Sequence, residues 1–205
     1  MLQVLGRSIN VRKVLWLCAE IGVPCQHTPW GVPELPLKSP EFVALNPNAL
    51  VPVIRDGGFV QWESNTICRY LATRHERYDL LPAEPQARAR VEQWMDWMAT
   101  ELNSAWRYAF MALVRQNAEF TDALAIDASI AAWNRHMALL DAQLQRTGAY
   151  AAGAAFTLAD ITLGLATHRW FMTPLQRPAL AAVEAYYERL SERPGFRAHG
   201  RNGVP

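Results

Sequence analysis

Ser8 and Asn10 stand between an apolar run, Leu2 to Leu5, closed by Gly6, and a stretch in which Val11, Val14, Leu15, Cys18 and Ile21 recur at helical spacing. A hydroxyl and an amide thus fall at a strand-to-helix junction, where unpaired backbone N–H groups and the positive end of the helix dipole favour an anion such as a thiolate. A hydroxyl there can donate to sulfur. The plain alternative is that both residues turn and cap the chain, for which their types are equally suited. Two later segments bear on the choice. In Asn46-Pro47-Asn48-Ala49-Leu50-Val51-Pro52, a proline at the start of an apolar strand removes a ladder N–H, which suits an edge or turn and is compatible with a cis bond. Val51 then offers its backbone N–H and C=O to an extended peptide. In Gln61-Trp62-Glu63-Ser64-Asn65, Ser64 opens a helix and can present hydroxyl and N–H to a carboxylate, while Glu63 suits an amine. A helix cap is the alternative for this pair also.

These residues need a frame, and the punctuation of the chain supplies one. Pro and Gly are frequent in the first eighty residues, whereas Pro is absent between Pro85 and Pro174, so a mixed domain over residues 1–78, a linker over 79–86 and a helical domain over 87–205 are expected. In the first part the pattern predicts a strand at Leu2 to Leu5 and a helix up to Gly22. Further strands are expected at Cys25 to Pro29, Val51 to Arg55 and Phe59 to Trp62, with a hairpin at Asp56-Gly57-Gly58, then a helix over Asn65 to His75. Strand-helix-strand followed by a hairpin and a helix makes a small α/β sheet. In the second part, Val91, Trp94, Met95, Met98 and Leu102 mark one amphipathic helix, and Ile126, Ile130, Trp133, Met137, Leu140 and Leu144 a second that packs on it. Ile161 to Ala166 is nearly apolar all round, which predicts a central buried helix. Thr157 and Asp160 form its capping box, and Phe156 and Ile161 stand at the staple positions.

Composition narrows the partners. Of 205 residues, 20 Lys and Arg balance 19 Asp and Glu, for a formal charge of +1, so neither nucleic acid nor an anionic membrane is attracted by the global charge. No apolar run approaches the ~18 residues of a membrane span, and no export signal stands at the N-terminus, so a cytoplasmic protein is expected. Cys18, Cys25 and Cys68 form no CxxC and suggest neither a disulfide framework nor a metal site.

Taken in order, Ser8-Ile9-Asn10-Val11-Arg12-Lys13, Lys38-Ser39-Pro40-Glu41-Phe42, Asn46-Pro47 through Val51-Pro52, Glu63-Ser64 with Ile67-Cys68-Arg69-Tyr70-Leu71, and Gly153 with Phe156-Thr157-Leu158-Ala159-Asp160 resemble the cytosolic glutathione transferases, bacterial in type and with a serine active site. The resemblance covers nearly the whole chain. It implies a thioredoxin-like N-terminal domain, an all-helical C-terminal domain, and a two-fold homodimer that uses glutathione as co-substrate, without a metal, against a hydrophobic electrophile. Carried over residue by residue, Ser8 corresponds to the serine that activates the glutathione thiol, with Asn10 as the second candidate. Val51 corresponds to the residue whose backbone pairs with the cysteinyl part, beside the cis proline Pro52. Glu63 and Ser64 correspond to the pair at the γ-glutamyl end, and Lys38 stands where a basic residue meets the glycine carboxylate.

The chain also departs from that pattern. Ala49 stands where the family usually has Gly, and Leu50 replaces a polar residue. No cysteine occupies the first turn and the first tyrosine is Tyr70, so cysteine-type and tyrosine-type activation are disfavoured. Trp106 and Tyr108, from an aromatic cluster between Trp94 and Met111, are the candidates for the electrophile pocket. His168, Arg169, Trp170 and Phe171 are expected to pack against the last helix, and the tail bearing Arg197, His199 and Arg201 to be a solvated end. The alternative to a transferase is a non-catalytic protein that uses the same fold as an interaction module.

Overall fold

The computed structural model describes residues 1–205. Four short strands, β1 (Leu2–Leu5), β2 (Cys25–Thr28), β3 (Val53–Asp56) and β4 (Phe59–Trp62), form one sheet in the order β2-β1-β3-β4. β1 and β2 are parallel, with Val4 opposite His27, and helix α1 (Ile9–Ile21) makes the crossover that parallel neighbours require. β3 runs antiparallel to both β1 and β4, with Val4 opposite Ile54 and Val53 opposite Trp62. Gly57 and Gly58 turn the hairpin as expected, Gly57 at a φ of 61°. The third strand begins two residues later than its apolar run suggests. Val51 and Pro52 stay outside the ladder and are joined by a cis peptide bond.

Between β2 and β3 the chain makes the single-turn α2 (Pro40–Val43), capped by Ser39, whose Oγ accepts from the Phe42 N–H at 3.3 Å. Phe42 is fully buried and packs against Trp30, with ring centres 5.1 Å apart, so the loop seals the far side of the sheet. Helix α3 (Ser64–Arg74) follows β4. Asp79 to Glu84 lack regular structure, and α4 (Pro85–Trp97) already begins inside the expected linker. Pro85 holds the first helical position, where its missing N–H costs nothing, and Glu84 caps Gln86 and Ala87 at 2.8 and 2.7 Å.

The helical half contains α5 (Asn103–Leu113), α6 (Ala123–Thr147), α7 (Leu158–Met172), α8 (Ala181–Ser191) and α9 (Pro194–His199). A π-helical turn, Met98–Leu102, joins α4 to α5 without a break, where the spacing alone suggests one helix ending near Leu102. The extra residue of a π turn rotates the face that the next helix presents. It is bracketed by hydroxyls that bond back onto the helix, Thr100 Oγ1 to the Asp96 carbonyl at 3.0 Å and Ser104 Oγ to the Thr100 carbonyl at 2.6 Å. α6 packs along α5, where Ser129 Oγ donates to the Ala105 carbonyl at 2.6 Å.

α7 is the axis of the molecule. Every residue from Leu158 to Trp170 is buried, as an all-round apolar helix demands. Asp160 at its start is fully buried and accepts from the Thr157 N–H at 2.8 Å, the Ala151 N–H at 3.0 Å and the Tyr186 hydroxyl at 3.1 Å, a structural set of partners. α1 lies against α3, α7 and α9. Its Trp16 is fully buried beside Phe156 and Phe196 and is met by Gly164 and Gly195. A Cβ on these glycines would fall 3.0 and 2.6 Å from the indole. Glu20 closes the seam, accepting from Trp16 Nε1 at 2.7 Å and from two Arg193 nitrogens at 3.0 and 2.6 Å. One apolar core therefore runs through both halves of the chain. No helix is long and apolar enough to cross a membrane.

Candidate functional site

The loop that leads into α1 is fixed from three sides. Gly6 has a φ of +122°, and a Cβ there would lie 2.4 Å from the Val51 side chain, so only glycine fits. Its N–H donates to the Thr28 carbonyl at 2.9 Å, and its carbonyl pairs with His27 Nε2 at 2.8 Å. Ser8 then caps α1 in extended conformation. Its Oγ accepts from the Val11 N–H at 3.2 Å. The capping and chemical readings of Ser8 are therefore compatible, because accepting from Val11 leaves the hydroxyl proton free to be donated elsewhere.

Ser8, Ile9 and Asn10 form one wall of a cavity of about 260 Å³ between the two halves of the molecule. Lys13 of α1 lies deeper on the same wall. Opposite stand Met98 of the π turn, Asn103 and Trp106 of α5, and Leu165, Ala166 and Arg169 of α7, with Arg115 from the loop after α5 at the rim. Asn103 Oδ1 accepts from Trp106 Nε1 at 3.0 Å and so fixes the indole. Ser8 also borders a second cleft, of about 510 Å³, shared with Arg7, Arg12, His27 and the chain end Asn202 to Pro205.

The Val51 loop is held from below by Asn46, which is buried; its Nδ2 donates to the Leu50 carbonyl at 2.8 Å and its Oδ1 accepts from the Asn48 N–H at 3.1 Å. Neither the N–H nor the carbonyl of Val51 makes a backbone hydrogen bond. Both are available to an extended ligand. Ala49 takes a φ of 52°, in the left-handed region where glycine is at home. Glu63 too has a positive φ, 74°, and its carboxylate makes no cap bond to α3, so the capping alternative does not hold for it. Ser64 is buried at the first position of α3.

Lys13 bridges these parts. Its Nζ lies 3.4 Å from Ser64 Oγ and 3.3 Å from Asn65 Oδ1, while Asn65 Nδ2 donates across to the Met95 carbonyl of α4 at 3.0 Å. Burial lowers the ammonium to about 8; Arg169 adds to the shift, and Cys68 and Glu63 oppose it. In the sequence Lys13 stands only as the last residue of the Ser8–Lys13 motif, with no role of its own. Its burial against Ser64 is a tertiary fact that helical spacing cannot show.

Of the remaining candidates, Trp106 lines the cavity and Tyr108 does not. The Tyr108 ring packs on Phe120 at 5.0 Å, and its hydroxyl accepts from the Asp122 N–H at 3.3 Å, because two residues along α5 is more than half a turn away from Trp106. Lys38 is exposed just before α2 and borders neither cleft at Ser8. At the end of α7 the expectation divides. His168 and Phe171 do pack toward α8, His168 Nδ1 meeting the Tyr187 hydroxyl at 2.8 Å and Phe171 lying 4.7 Å from that ring. Trp170 Nε1 instead donates to Asn134 of α6 at 2.9 Å, and Arg169 turns into the cavity. The C-terminal tail is not a simple solvated end either. Arg12 donates to the carbonyls of His199 at 2.8 Å and Val204 at 2.7 Å and ties it to α1.

Known proteins share both the sequence and this geometry. Residues 7–74 match the family description "Glutathione S-transferase, N-terminal domain". The chain is 36% identical over 201 residues to glutathione S-transferase GstB of Escherichia coli, covering 96% of each protein. It is 32% identical over 196 residues to glutathione S-transferase 3 of Zea mays, covering 92% of this chain and 87% of that one. Its structure superposes with a TM-score of 0.90 on the theta class glutathione S-transferase of Xanthomonas axonopodis pv. citri with glutathione bound, at 36% identity and covering 97% and 96% of the two chains. A thioredoxin-like sheet domain with its cis proline, a helical domain behind it and near full-length likeness to these proteins together mean that the chain belongs to the glutathione S-transferase family.

Proposed function

We propose that this transferase binds glutathione extended along Val51 and Ser64 and activates its thiol with the Ser8 hydroxyl. The observation that carries this reading is Ser8 at the N-terminus of α1, accepting from Val11 and facing the cavity with its proton free. The unpaired N–H and carbonyl of Val51 are suited to the cysteinyl backbone. Ser64, backed by the Lys13 ammonium, suits the γ-glutamyl carboxylate, and Glu63 its amine. Lys38 serves the glycine carboxylate. Asn10, on the same wall, supports the sulfur from its other side.

The chemistry needs no protein base of shifted pKa. A thiol held at a helix N-terminus by a hydroxyl donor loses its proton to solvent more easily, and each pKa unit removed is worth about 1.4 kcal/mol in favour of thiolate. The thiolate then attacks an electrophilic carbon held against Trp106, Met98 and Leu165. The protein works as a cytoplasmic homodimer in detoxification of electrophiles. Leu50, 61% exposed, and Phe59 and Val60 at the sheet edge give the N-terminal domain an apolar surface to bury in a dimer.

Calorimetry of glutathione binding, followed by the ultraviolet thiolate band of the bound ligand as a function of pH, tests the reading. Binding with a thiol pKa below that of free glutathione is expected. No binding at millimolar glutathione would overturn it and favour an interaction module instead.

A further inference from the structure

The cavity wall that faces Ser8 carries positive charge that nothing in the protein neutralises. Arg169 is only 7% exposed, makes no ion pair, and its buried Nε has no hydrogen-bond acceptor. Its guanidinium rests on the edge-to-face pair of Trp106 and Phe110, 4.3 Å from each ring centre, which holds it in place rather than leaving it free to reach a distant acid. Arg115 also lies over Phe110, 5.5 Å from its ring centre, and it too is without an ion pair. Both guanidinium groups and the Lys13 ammonium line the same cavity, and no aspartate or glutamate does. Burial, and after it the repulsion of Arg12 and Arg115, lowers Arg169 to about 9, which leaves it charged at neutral pH. Buried charges in folded proteins are paired, and an unpaired one surrounded by like charges is a standing cost unless a ligand brings the counter-charge.

Resting on the assignment of the thiol to Ser8, we propose that the electrophile of this enzyme is a small anionic molecule, a carboxylate or similar oxyanion, whose charged end is received by Arg169 and Arg115. A planar guanidinium matches an oxyanion through parallel N–H donors. The neighbouring apolar surface of Met98, Leu165 and Ala166 holds the carbon skeleton, and about 260 Å³ admits little more than one ring. The reaction remains a displacement: the thiolate sulfur forms the new bond to carbon, the leaving group departs with its electron pair as an anion, and the thiol proton has already passed to solvent. Glutathione occupies Lys13, Ser64 and Val51, so the two arginines are left for the second substrate.

Matched probes test this, 4-chloro-3-nitrobenzoate and its neutral amide, with kcat/KM of each divided by its uncatalysed rate with free glutathione. The acid should be preferred by about tenfold or more, as expected for a charge-assisted bidentate contact. In Arg169→Met that acid-to-amide ratio should fall at least about tenfold, and in Arg115→Gln, an exposed position that does not threaten folding, by about threefold. Benzoate should also inhibit conjugation of the amide more strongly than benzamide does. Equal losses on both probes would mean that the arginines act on the sulfur, and an unchanged ratio in both variants would mean that they contact no anion; either overturns the proposal. Amide conjugation without acid preference leaves the Ser8 reading standing and removes this one. Conjugation of neither probe removes both.

Discussion

At the level of single residues, the functional reading concentrates on two side chains of α1 that the sequence treated unequally. Ser8 could be singled out because a hydroxyl between a strand and a helix has only a few things to do; it caps α1 and faces the cavity. Ser8→Ala should keep most of the glutathione affinity, since Val51, Ser64 and Lys13 remain, while kcat falls by about ten- to a hundredfold as one to two pKa units of thiol activation are lost. Calorimetry beside steady-state kinetics separates the two; unchanged turnover would shift the role to Asn10. Lys13 stayed hidden because burial of a lysine is decided by which helix closes over it. With its ammonium at about 8, against 10.5 in an unfolded chain, the folded form binds fewer protons than the unfolded one between those values. Its contribution to stability is therefore complete above about 10.5 and is lost as pH falls through about 8. For binding the sign is opposite: as pH rises through about 8 the positive charge beside Ser64 disappears and the KM for glutathione should climb. Lys13→Met should raise that KM at pH 7 and flatten its pH dependence, which a kinetic titration from pH 6.5 to about 9 would show.

Among the elements, strands and helices were legible wherever apolar spacing and caps agreed, as in β1, α1 and α7 with its Thr157–Asp160 start. The boundaries at the site were not. Val51 and Pro52 read as strand because their residue types suit one, yet the Asn46 side chain holds the preceding turn and keeps both out of the ladder. The π turn at Met98–Leu102 carries no pattern of its own, so which face of α5 meets the cavity, that of Trp106 and not that of Tyr108, could not be anticipated. Two substitutions probe how tightly the loops are set. Gly6→Ala would place a Cβ 2.4 Å from Val51 at a φ of +122° and should cost about 2–4 kcal/mol in a denaturant melt, with lost glutathione binding as the Val51 loop is displaced. Ala49→Gly, at a φ of 52°, should do the reverse. Relief of the left-handed penalty exceeds the added freedom of the unfolded chain, for a gain of a few tenths to about 1 kcal/mol.

The molecule as a whole is less divided than its sequence suggests. The proline that opens the proline-free stretch, Pro85, is also the first residue of α4, but nothing in the spacing revealed that α1 belongs as much to α7 and α9 as to its own sheet. The decisive contacts are small residues opposite a large one, Gly164 and Gly195 against Trp16, and such pairs are far apart in the chain. Trp16→Ala should cost about 3–5 kcal/mol, and the sheet domain and the helices should melt in one transition both before and after the change, followed by fluorescence and far-ultraviolet circular dichroism. Two separate transitions in the parent protein would contradict a shared core.

The same seam limits how genes of this kind can be recombined. A chimera that took its first eighty residues from one relative and its helices from another would bring a new residue 16 against glycines selected to meet an indole. An incoming smaller side chain would leave a void, and an incoming indole facing larger residues would not fit at all. Exchange of electrophile specificity by swapping helical domains should therefore succeed only between parents that agree at positions 16, 164 and 195, three sites that touch no substrate.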